Sequence, residues 1–382
     1  MTAQPLQGIV VLEFSQYLSG PSAGLRLADL GARVIKIERP GTGEAGRKLA
    51  IKDLWVDENS LLFHTINRNK ESFTANLKDA DDLYGIKQLI AKADVLIHNF
   101  RPEVMGKNGL DYASVQHINP RLIYAEISGY GKKGPWKDKP GQDLLLQAMS
   151  GLTYTTGNSG QAPVPFGISI GDIIAGAHVV QGILAALIRR QKNGKGALIE
   201  VSMLESLLDF QFELLTTYYT TQQQPLRSAV ANGQPLLSAP YGIYATADGH
   251  MAIAMMDIHV LADTIGCFAL QAFHKEDAFV QRDAIKTALA VHLQQHSSAV
   301  WLRMLHDAGL WAMEVLNWQQ LTTTAAYQTL QMEQVVLAAD KQIVTTRCPI
   351  RINGKRLMFD RPAPQLGAHN ESIRQELSAA MK

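Results

Sequence analysis

The sequence predicts an α/β fold with a mostly parallel sheet, joined to a smaller α+β domain. Over the first 130 residues, short runs of aliphatic residues alternate with stretches of helical apolar spacing. A polar, proline-containing stretch at 221–240 then precedes a hairpin pattern at 241–255, with Asp248-Gly249 as its turn. Repeated strand–helix–strand units favour parallel strands, because each helix returns the chain to the same end of the sheet.

The individual elements follow from apolar periodicity and from signals at the ends of segments. Pro21 and Gly31 bound the first helix, and three acids open the second one at 79–93. The predicted strands are 8–14, 32–38, 94–100, 121–128 and 197–203, and the predicted helices are 21–31, 79–93, 172–190 and 204–219.

Three ranges describe the expected domain organisation. Residues 1–220 form most of a large α/β domain, and 225–325 form the small α+β domain. The stretch 221–240 is interpreted as a linker between them. Strand-like sequence after about 330 predicts that 330–382 folds back onto the large domain.

Composition excludes several classes of protein. The 382 residues carry a net charge of +1, so there is no electrostatic case for nucleic-acid binding. Cys267 and Cys348 are far apart, which suits a reducing compartment and predicts neither a disulfide nor a metal site. The N-terminus lacks a signal-peptide pattern, and the longest apolar run, 173–188, is too short to span a bilayer. We therefore expect a cytoplasmic protein without a membrane partner.

The segment "GTGEAG" at 41–46 matches a dinucleotide-binding pattern by its letters alone. That pattern works when a strand turns directly into a helix, whose N-terminus then binds the pyrophosphate. Here Pro40 intervenes and no clear helix follows. We interpret 41–46 as a flexible loop.

Asp172 is the sole acid in the apolar stretch 168–188. An acid in a first helical turn is common, and it ordinarily stabilises the helix by about 1 kcal/mol. Two features favour a chemical role: nearby glycines (Gly167, Gly171, Gly176) allow close approach of a ligand, and the apolar helix predicts a position at a buried sheet end. A carboxylate kept ionised there by the helix dipole, and nucleophilic by desolvation, can form acyl intermediates.

Residues 171–203, "GDIIAGAHVVQGILAALIRRQKNGKGALIEVSM", resemble the signature of the class III CoA-transferases, the family of carnitine CoA-transferase, formyl-CoA transferase and the bile-acid-inducible F type. The resemblance extends to 12–44, 69–79, 93–112, 119–152 and the tail 349–370. It implies a Rossmann-like large domain built from both chain ends, a small domain between them, and an interlocked homodimer.

The resemblance also implies a reaction. The acid that matches Asp172 attacks an acyl-CoA thioester, and a mixed anhydride forms as CoA thiolate leaves. The thiolate then gives an enzyme–CoA thioester, and a carboxylic acid acceptor reverses the sequence. Acyl-CoA and a small carboxylic acid are the implied partners besides a second copy of the chain, and no permanently bound cofactor or metal is expected.

Further site residues are implied by the same match. Gln16 corresponds to a glutamine that polarises acyl oxygens beside the nucleophile. Gln142 and Asp143 are candidates for the acyl site. Lys107 stands where formyl-CoA transferase has arginine, so a phosphate contact there would not be bidentate. The residues that match CoA-binding positions are Arg39, Ala75, Lys78, Asn99, Phe100, Lys107 and Met203.

Two alternatives stay open at this point. The family includes α-methylacyl-CoA racemases, which carry a histidine where this chain has Gln142; glutamine cannot act as that base, and Asp257 near their additional acid does not restore the pair. A CoA-ester-binding homologue without catalysis is the other alternative, and the intact Asp172 argues against it. The glycine loop of formyl-CoA transferase does not precede the hairpin at 241–255, and the exchanged acids are not identified.

Overall fold

The computed structural model describes residues 4–338 and 340–379, which form two compact units. The first unit comprises 4–146, 169–210 and 330–379, and the second comprises 147–168 and 211–329. Residues 147–168 and 211–220 thus belong to the second unit, whereas the sequence grouped them with the large domain at 1–220. The ends of the predicted domains at 1–3 and 380–382 lie outside the described residues.

The strands are short and are numbered here in chain order. They are β1 (Val10–Glu13), β2 (Arg33–Glu38), β3 (Trp55–Val56), β4 (Asn59–Ser60), β5 (Glu71–Thr74), β6 (Val95–His98), β7 (Ile123–Ser128), β8 (Ala197–Ser202), β9 (Gly242–Ala245), β10 (His250–Ile253), β11 (Ala312–Glu314), β12 (Glu333–Ala338), β13 (Lys341–Thr346), β14 (Arg351–Ile352) and β15 (Lys355–Arg356).

The α-helices are numbered in the same way, and short 3₁₀ segments lie between some of them. The helices are α1 (Ser19–Asp29), α2 (Leu61–Asn67), α3 (Ala80–Lys92), α4 (Pro102–Lys107), α5 (Tyr112–Ile118), α6 (Asp143–Met149), α7 (Ile170–Asn193), α8 (Met203–Phe210), α9 (Phe212–Thr221), α10 (Ile258–Ile265), α11 (Asp277–Val280), α12 (Arg282–Leu293), α13 (Ser298–Asp307), α14 (Trp318–Thr323), α15 (Ala325–Leu330) and α16 (Asn370–Ala379).

The first unit is organised around a six-stranded parallel sheet with the order β5-β2-β1-β6-β7-β8. The five strands predicted from sequence are confirmed as β1, β2, β6, β7 and β8. Strand order reverses between β1 and β6, which makes the carboxyl ends of these two strands the switch point where open α/β folds bind ligands.

Aliphatic side chains from the strands and helices form one core on this sheet. Leu12, Ile35 and Leu96 from three neighbouring strands are at most 2% exposed. Ile373 and Leu377 of α16 pack into the same core, so the C-terminal helix belongs to the first unit. The strand character expected of the tail is confirmed by the antiparallel pair β12–β13.

Helix α7 confirms the helix predicted at 172–190 and extends it to 24 residues. It ends at Gly194, whose φ of 71° supplies the left-handed conformation of a helix C-terminus. The helix is longer than the apolar run 173–188, and by length and composition alone it could cross a membrane. Half of its most apolar window is buried inside the protein, which is the pattern of a core helix.

The second unit contains a three-stranded antiparallel sheet with the order β11-β10-β9. The predicted hairpin is confirmed, since Gly242–Ala245 pairs with His250–Ile253 around the Asp-Gly turn. The stretch 221–240, interpreted as a linker, is instead packed within this unit. The Arg227 guanidinium donates to the Thr156 and Gln161 carbonyls at 2.7 and 2.6 Å, and Arg282 donates to Pro235 O at 2.7 Å.

The helix predicted at 204–219 is divided into α8 and α9 at Gln211. Gln211 is 5% exposed, and its side-chain amide donates to Ser150 O at 3.2 Å. This hydrogen bond holds the buried amide at the break between the helices. The uninterrupted amphipathic pattern of 204–219 contains no signal for it.

Candidate active site

The carboxyl ends of the parallel strands bring most of the predicted site residues to one edge of the sheet. Gln16 follows β1, Arg39 follows β2, Ala75 follows β5, Asn99 follows β6 and Met203 follows β8. Parallel strands end at the same edge, so residues far apart in sequence meet there. Lys78, Phe100 and Lys107 lie a few residues beyond the ends of β5 and β6.

Asp172 lies in the first turn of α7 and is partly buried. Ser19, at the start of α1, lies beside this carboxylate, and polar contacts from its hydroxyl and backbone N–H favour the ionised form of Asp172. Gly176 makes this approach possible, because a Cβ there would lie 2.5 Å from Ser22 Oγ and 2.8 Å from Ser19 O. The first turns of two helices therefore converge on one carboxylate.

Asp143 holds the backbone of the nucleophile candidate. Its Oδ1 accepts hydrogen bonds from the N–H groups of Gly171 at 2.7 Å and Asp172 at 3.3 Å. The N-cap residue of α7, Ser169, makes no side-chain capping bond, so Asp143 takes over that role. Gln142, the other acyl-site candidate, is exposed, and its carbonyl accepts from Leu145 N at 3.0 Å.

Burial raises the pKa of Asp172 from 3.8 to about 6, and the negative charge of Asp143 adds to the increase. The polar contacts with Ser19 lower the pKa and offset part of the shift. The sequence interpretation expected the helix dipole to keep this carboxylate ionised, and burial acts in the opposite direction by raising the pKa. Asp172 is therefore mostly ionised at neutral pH, and it is more basic than an exposed aspartate.

Gln16 and Asn99 connect the loops on the two sides of the switch point. Gln16 N donates to Asn99 Oδ1 at 2.8 Å, and Asn99 Nδ2 donates back to Gln16 O at 2.7 Å. Asn99 Nδ2 also reaches Ser19 Oγ at 3.3 Å. Both ends of the Asn99 amide thus hold the β1–α1 loop. The Gln16 side chain makes no hydrogen bond to the described residues, which leaves its amide available to a ligand.

Three exposed cations among the CoA-binding candidates have no ion pair within the part of the chain that the structure describes. They are Arg39, Lys78 and Lys107. Ala75 and Met203 are instead buried, and Ala75 N donates to Glu38 O at 2.9 Å. Phe100 is half-buried and packs against the core of the sheet. The three cations are thus exposed and available to a ligand, whereas Ala75, Met203 and Phe100 are packed within the protein.

Ser19 and a group of buried charges are features of the site that sequence reasoning missed. The segment 41–46 is anchored rather than flexible, because Glu44 is 3% exposed and accepts a hydrogen bond from Tyr17 N at 3.0 Å. Arg47 is also buried and forms two hydrogen bonds to Glu38, both at 2.7 Å. The charged residues inside the apolar strand "RVIKIE" were the available signal.

Asp257, the acid considered for racemase chemistry, caps α10 of the second unit. Its carboxylate accepts from His259 N at 2.9 Å and lies 3.3 Å from Lys275 Nζ. The backbone hydrogen bond from His259 is the main reason why its pKa is held below the ordinary value. Among residues 4–338 and 340–379, no group of three or more His, Cys, Asp or Glu side chains is arranged to hold a metal ion.

Comparison with known proteins places this geometry in a family. The model of CoA-transferase family III matches residues 6–370. Acetyl-CoA:oxalate CoA-transferase of Acetobacter aceti is 35% identical, over 98% of this chain and 96% of that protein. Succinate–glutarate CoA-transferase of Agrobacterium fabrum is 31% identical, over 98% and 96%.

A solved structure has the same fold over nearly the whole chain. A CAIB/BAIF family protein from Brucella suis superposes with a TM-score of 0.84 and 29% identity, covering 98% of this chain and 99% of that one. The match of the family model extends over both units described above. The chain therefore belongs to CoA-transferase family III and is an enzyme that transfers coenzyme A.

Proposed function

We propose that this enzyme moves CoA from an acyl-CoA donor to a carboxylic acid through covalent intermediates on Asp172. The observation that carries the proposal is the environment of this carboxylate. It is desolvated, its pKa is raised to about 6, and the first turns of α1 and α7 converge on it. Such an acid is ionised at neutral pH and loses little hydration when it attacks.

The steps use groups already in place. An Asp172 oxygen attacks the thioester carbonyl, the C–S bond breaks, and CoA leaves as the thiolate. The free Gln16 amide donates to the oxyanion that develops on the acyl oxygen. The thiolate then attacks the Asp172 carbonyl carbon of the anhydride and releases the donor acid. The acceptor carboxylate attacks the resulting aspartyl–CoA thioester, the C–S bond breaks, and a second anhydride forms as CoA thiolate leaves. The thiolate then attacks the acceptor carbonyl of this anhydride, which gives the new acyl-CoA and frees the Asp172 carboxylate.

The CoA nucleotide is proposed to bind along the carboxyl edge of the sheet. Arg39, Lys78 and Lys107 provide unpaired positive charges there for its phosphates. Ala75, Asn99, Phe100 and Met203 are the further CoA-binding candidates; buried Ala75 and Met203 would contribute through backbone and apolar contacts.

Small carboxylic acids are the proposed donor and acceptor acids. The named relatives act on acetyl-CoA and oxalate, or on succinate and glutarate, which favours short mono- and dicarboxylates. A screen of acetyl-, succinyl- and formyl-CoA against a panel of such acids, read by mass, would identify the pair.

The assembly is proposed to be an interlocked homodimer. Large apolar side chains on the second unit are exposed in the single chain, including Phe212 at 62% and Tyr219 at 65%, on a helix with no buried residue. Soluble chains ordinarily cover such surfaces. Light scattering on dilution to nanomolar concentration should show a persistent dimer, and a monomer would contradict the proposal.

Trapping the covalent intermediate tests the central step. With acyl-CoA followed by hydroxylamine, Asp172 should become a hydroxamate, visible as a mass change on its peptide. Asp172→Ala should give no label and should lose transfer by several orders of magnitude. A label on Asp143, or near-normal transfer by Asp172→Ala, would overturn the mechanism.

Racemisation is the alternative chemistry, and Gln142 argues against it. Incubation of the enzyme with a 2-methylacyl-CoA in deuterium oxide should leave the α-carbon unlabelled. Rapid deuterium incorporation would favour the racemase assignment instead.

A further inference from the structure

The β1–α1 loop is held in place by charged side chains from other parts of the first unit. Lys36 Nζ donates to Ser15 O at 2.9 Å, and Lys70 Nζ donates to Pro21 O at 2.8 Å. From the other side, Glu44 accepts from Tyr17 N at 3.0 Å. These bonds fix the backbone on both sides of Gln16 and Ser19.

The three side chains that make these bonds form an ionic cluster with Glu13, and we call Glu13, Lys36, Glu44 and Lys70 the buried quartet. Lys36 Nζ lies 2.8 Å from Glu13 Oε1 and 3.5 Å from Glu44 Oε1. Lys70 Nζ lies 2.7 Å from Glu13 Oε2. Every side chain in the quartet is at most 2% exposed. Two positive and two negative charges balance within it.

An ionic cluster at this depth does little for stability by itself. Removing charges from water costs several kcal/mol per ion, and apolar residues of similar volume often serve stability as well or better. Burial alone would raise the pKa of Glu13, yet the charges of Lys36 and Lys70 hold that pKa below its ordinary value. The ionised form of Glu13 is therefore favoured inside the cluster, and the structural effect of the quartet lies in the backbone atoms that it binds.

The loop also needs an external restraint. Tyr17 has a φ of 64°, a left-handed conformation that costs a residue with a side chain about 1 kcal/mol or more. Tyr17 is 51% exposed, so packing does not hold it there. The hydrogen bond from Tyr17 N to the Glu44 carboxylate holds Tyr17 in this conformation. Gly24 of α1 makes room for the cluster, since a Cβ there would lie 1.8 Å from Glu13 Oε2.

We propose that the buried quartet is a positioning device for the active site, which sets the β1–α1 loop so that Ser19 donates to Asp172 and Gln16 faces the acyl group. This inference rests on the proposed covalent role of Asp172. None of the four side chains touches substrate in this scheme. They act through the backbone of 15–21.

Glu44 offers the sharpest test because two substitutions separate charge from geometry. Glu44→Ala removes the acceptor for Tyr17 N–H, whereas Glu44→Gln keeps an acceptor oxygen and removes the charge. Loss of a negative charge near the site would lower the Asp172 pKa by electrostatics alone. Loss of the polar contacts between Ser19 and Asp172 would raise the Asp172 pKa. The sign of the shift therefore distinguishes the two effects.

The pKa of the Asp172 carboxyl is best followed directly, by ¹³C NMR of aspartate-labelled protein between pH 4 and 7.5. Asp143 is the group whose charge adds to the pKa of Asp172, and Lys70 of the quartet, whose pKa burial lowers to about 8, stays mostly protonated in this range. We expect a higher Asp172 pKa in Glu44→Ala than in the wild type, and an equal or lower one in Glu44→Gln.

Transfer kinetics give the second measurement. Glu44→Ala should lower kcat about ten- to a hundredfold with a much smaller change in KM, as expected when catalytic groups are displaced by about 1 Å. Glu44→Gln should restore most of the activity. Asp29→Asn is the control, because Asp29 lies at the opposite end of α1 from Ser19 and forms a buried ion pair with Arg68, which follows α2. It should lower stability and leave the Asp172 pKa unchanged.

The outcomes separate this inference from the proposed function. A folded Glu44→Ala protein with an unchanged or lowered Asp172 pKa would overturn the positioning role, as would an equal pKa shift in Asp29→Asn. If the wild type showed no hydroxamate at Asp172, the covalent mechanism would fail. The NMR comparison would still decide whether the quartet positions Ser19.

Discussion

The Asp143 carboxylate lies against the backbone of Asp172, accepting hydrogen bonds from Gly171 N at 2.7 Å and from Asp172 N at 3.3 Å. One acid thus orients another. The contact fixes the first turn of α7, and the charge of Asp143 raises the pKa of Asp172. These two effects act in different directions on catalysis, and substitution can separate them.

Asp143→Asn should move the acid limb of the pH–rate profile to lower pH. The amide oxygen keeps an acceptor for Gly171 N, while the like charge that raises the Asp172 pKa is removed. Wild-type transfer should rise through about pH 6 as Asp172 ionises, and the variant should rise earlier.

Asp143→Ala is the matched comparison for that prediction. It removes both the charge and the acceptor that caps the first turn of α7, so kcat should fall although the acid limb also moves to lower pH. An acid limb that stays in place in both variants would show that a different group controls it.

Asp172→Asn should stabilise the folded protein at neutral pH. The folded-state pKa is raised from 3.8 to about 6, so the native state binds more protons than the unfolded state between these values, and stability falls as pH rises through them. Removing the charge should restore about 1–2 kcal/mol at pH 7 after allowance for partial solvent exposure. This is opposite to the loss expected for an ordinary acid in a first helical turn.

Thermal unfolding at two pH values would check this sign. The melting temperature of Asp172→Asn should exceed that of the wild type by a few degrees at pH 7, and the difference should shrink at pH 4, where the wild-type acid is already protonated. A variant that melts lower at pH 7 would mean that the ionised carboxylate stabilises the native state.

Gly176→Ala should damage transfer by separating α1 from α7. The added Cβ would lie 2.5 Å from Ser22 Oγ and 2.8 Å from Ser19 O, and the backbone oxygen cannot move without shifting α1. Ser19 would then lose its contact with Asp172. We expect a reduced kcat and an acid limb that is shifted to higher pH, and steady-state kinetics across pH 5–8 would measure both.

Gly85→Ala is a suitable control for the Gly176 substitution. Gly85 lies within α3, and a Cβ there would meet nothing within 4 Å. Alanine in a helix interior should stabilise the protein by about 0.5–1 kcal/mol without altering kinetics. Equal activity loss in both variants would refute the close-approach argument.

Local sequence patterns were sufficient to predict most of the large sheet and its central helix. The first three residues of β1 and of β6 are all aliphatic, which is the pattern of strands buried on both faces. Helix α7 has apolar periodicity and a glycine after its last residue. Strand β5, Glu71–Thr74, has only four residues and a mixed composition, so periodicity alone does not identify it.

The arrangement of the site depended on contacts between distant residues, which composition and spacing do not encode. Asp143 meets Gly171 across 28 positions, and Lys70 meets Pro21 across 49. The sequence could identify Asp172 as an unusual acid. It could not identify Ser19 as its donor, because that contact depends on how closely α1 approaches α7.

The nucleotide site leads to a prediction about binding rather than chemistry. Arg39→Ala and Lys107→Ala each remove an exposed cation that has no ion pair among the described residues. If these cations contact the phosphates of CoA, each variant should raise KM for an acyl-CoA severalfold and leave kcat nearly unchanged, since such binding is equal in the ground and transition states. The effect should weaken at high salt because the contacts are exposed. Lys192→Ala is the control: Lys192 is also exposed but lies in the last turn of α7, at the opposite end of the helix from Asp172, and its removal should leave KM unchanged. A short pantetheine thioester, which lacks the nucleotide, should be used equally well by the wild type and by both variants.

If Arg39→Ala lowers transfer from the pantetheine thioester as strongly as from acyl-CoA, then Arg39 does not act through the nucleotide, and the assignment of the carboxyl edge as the phosphate site is wrong.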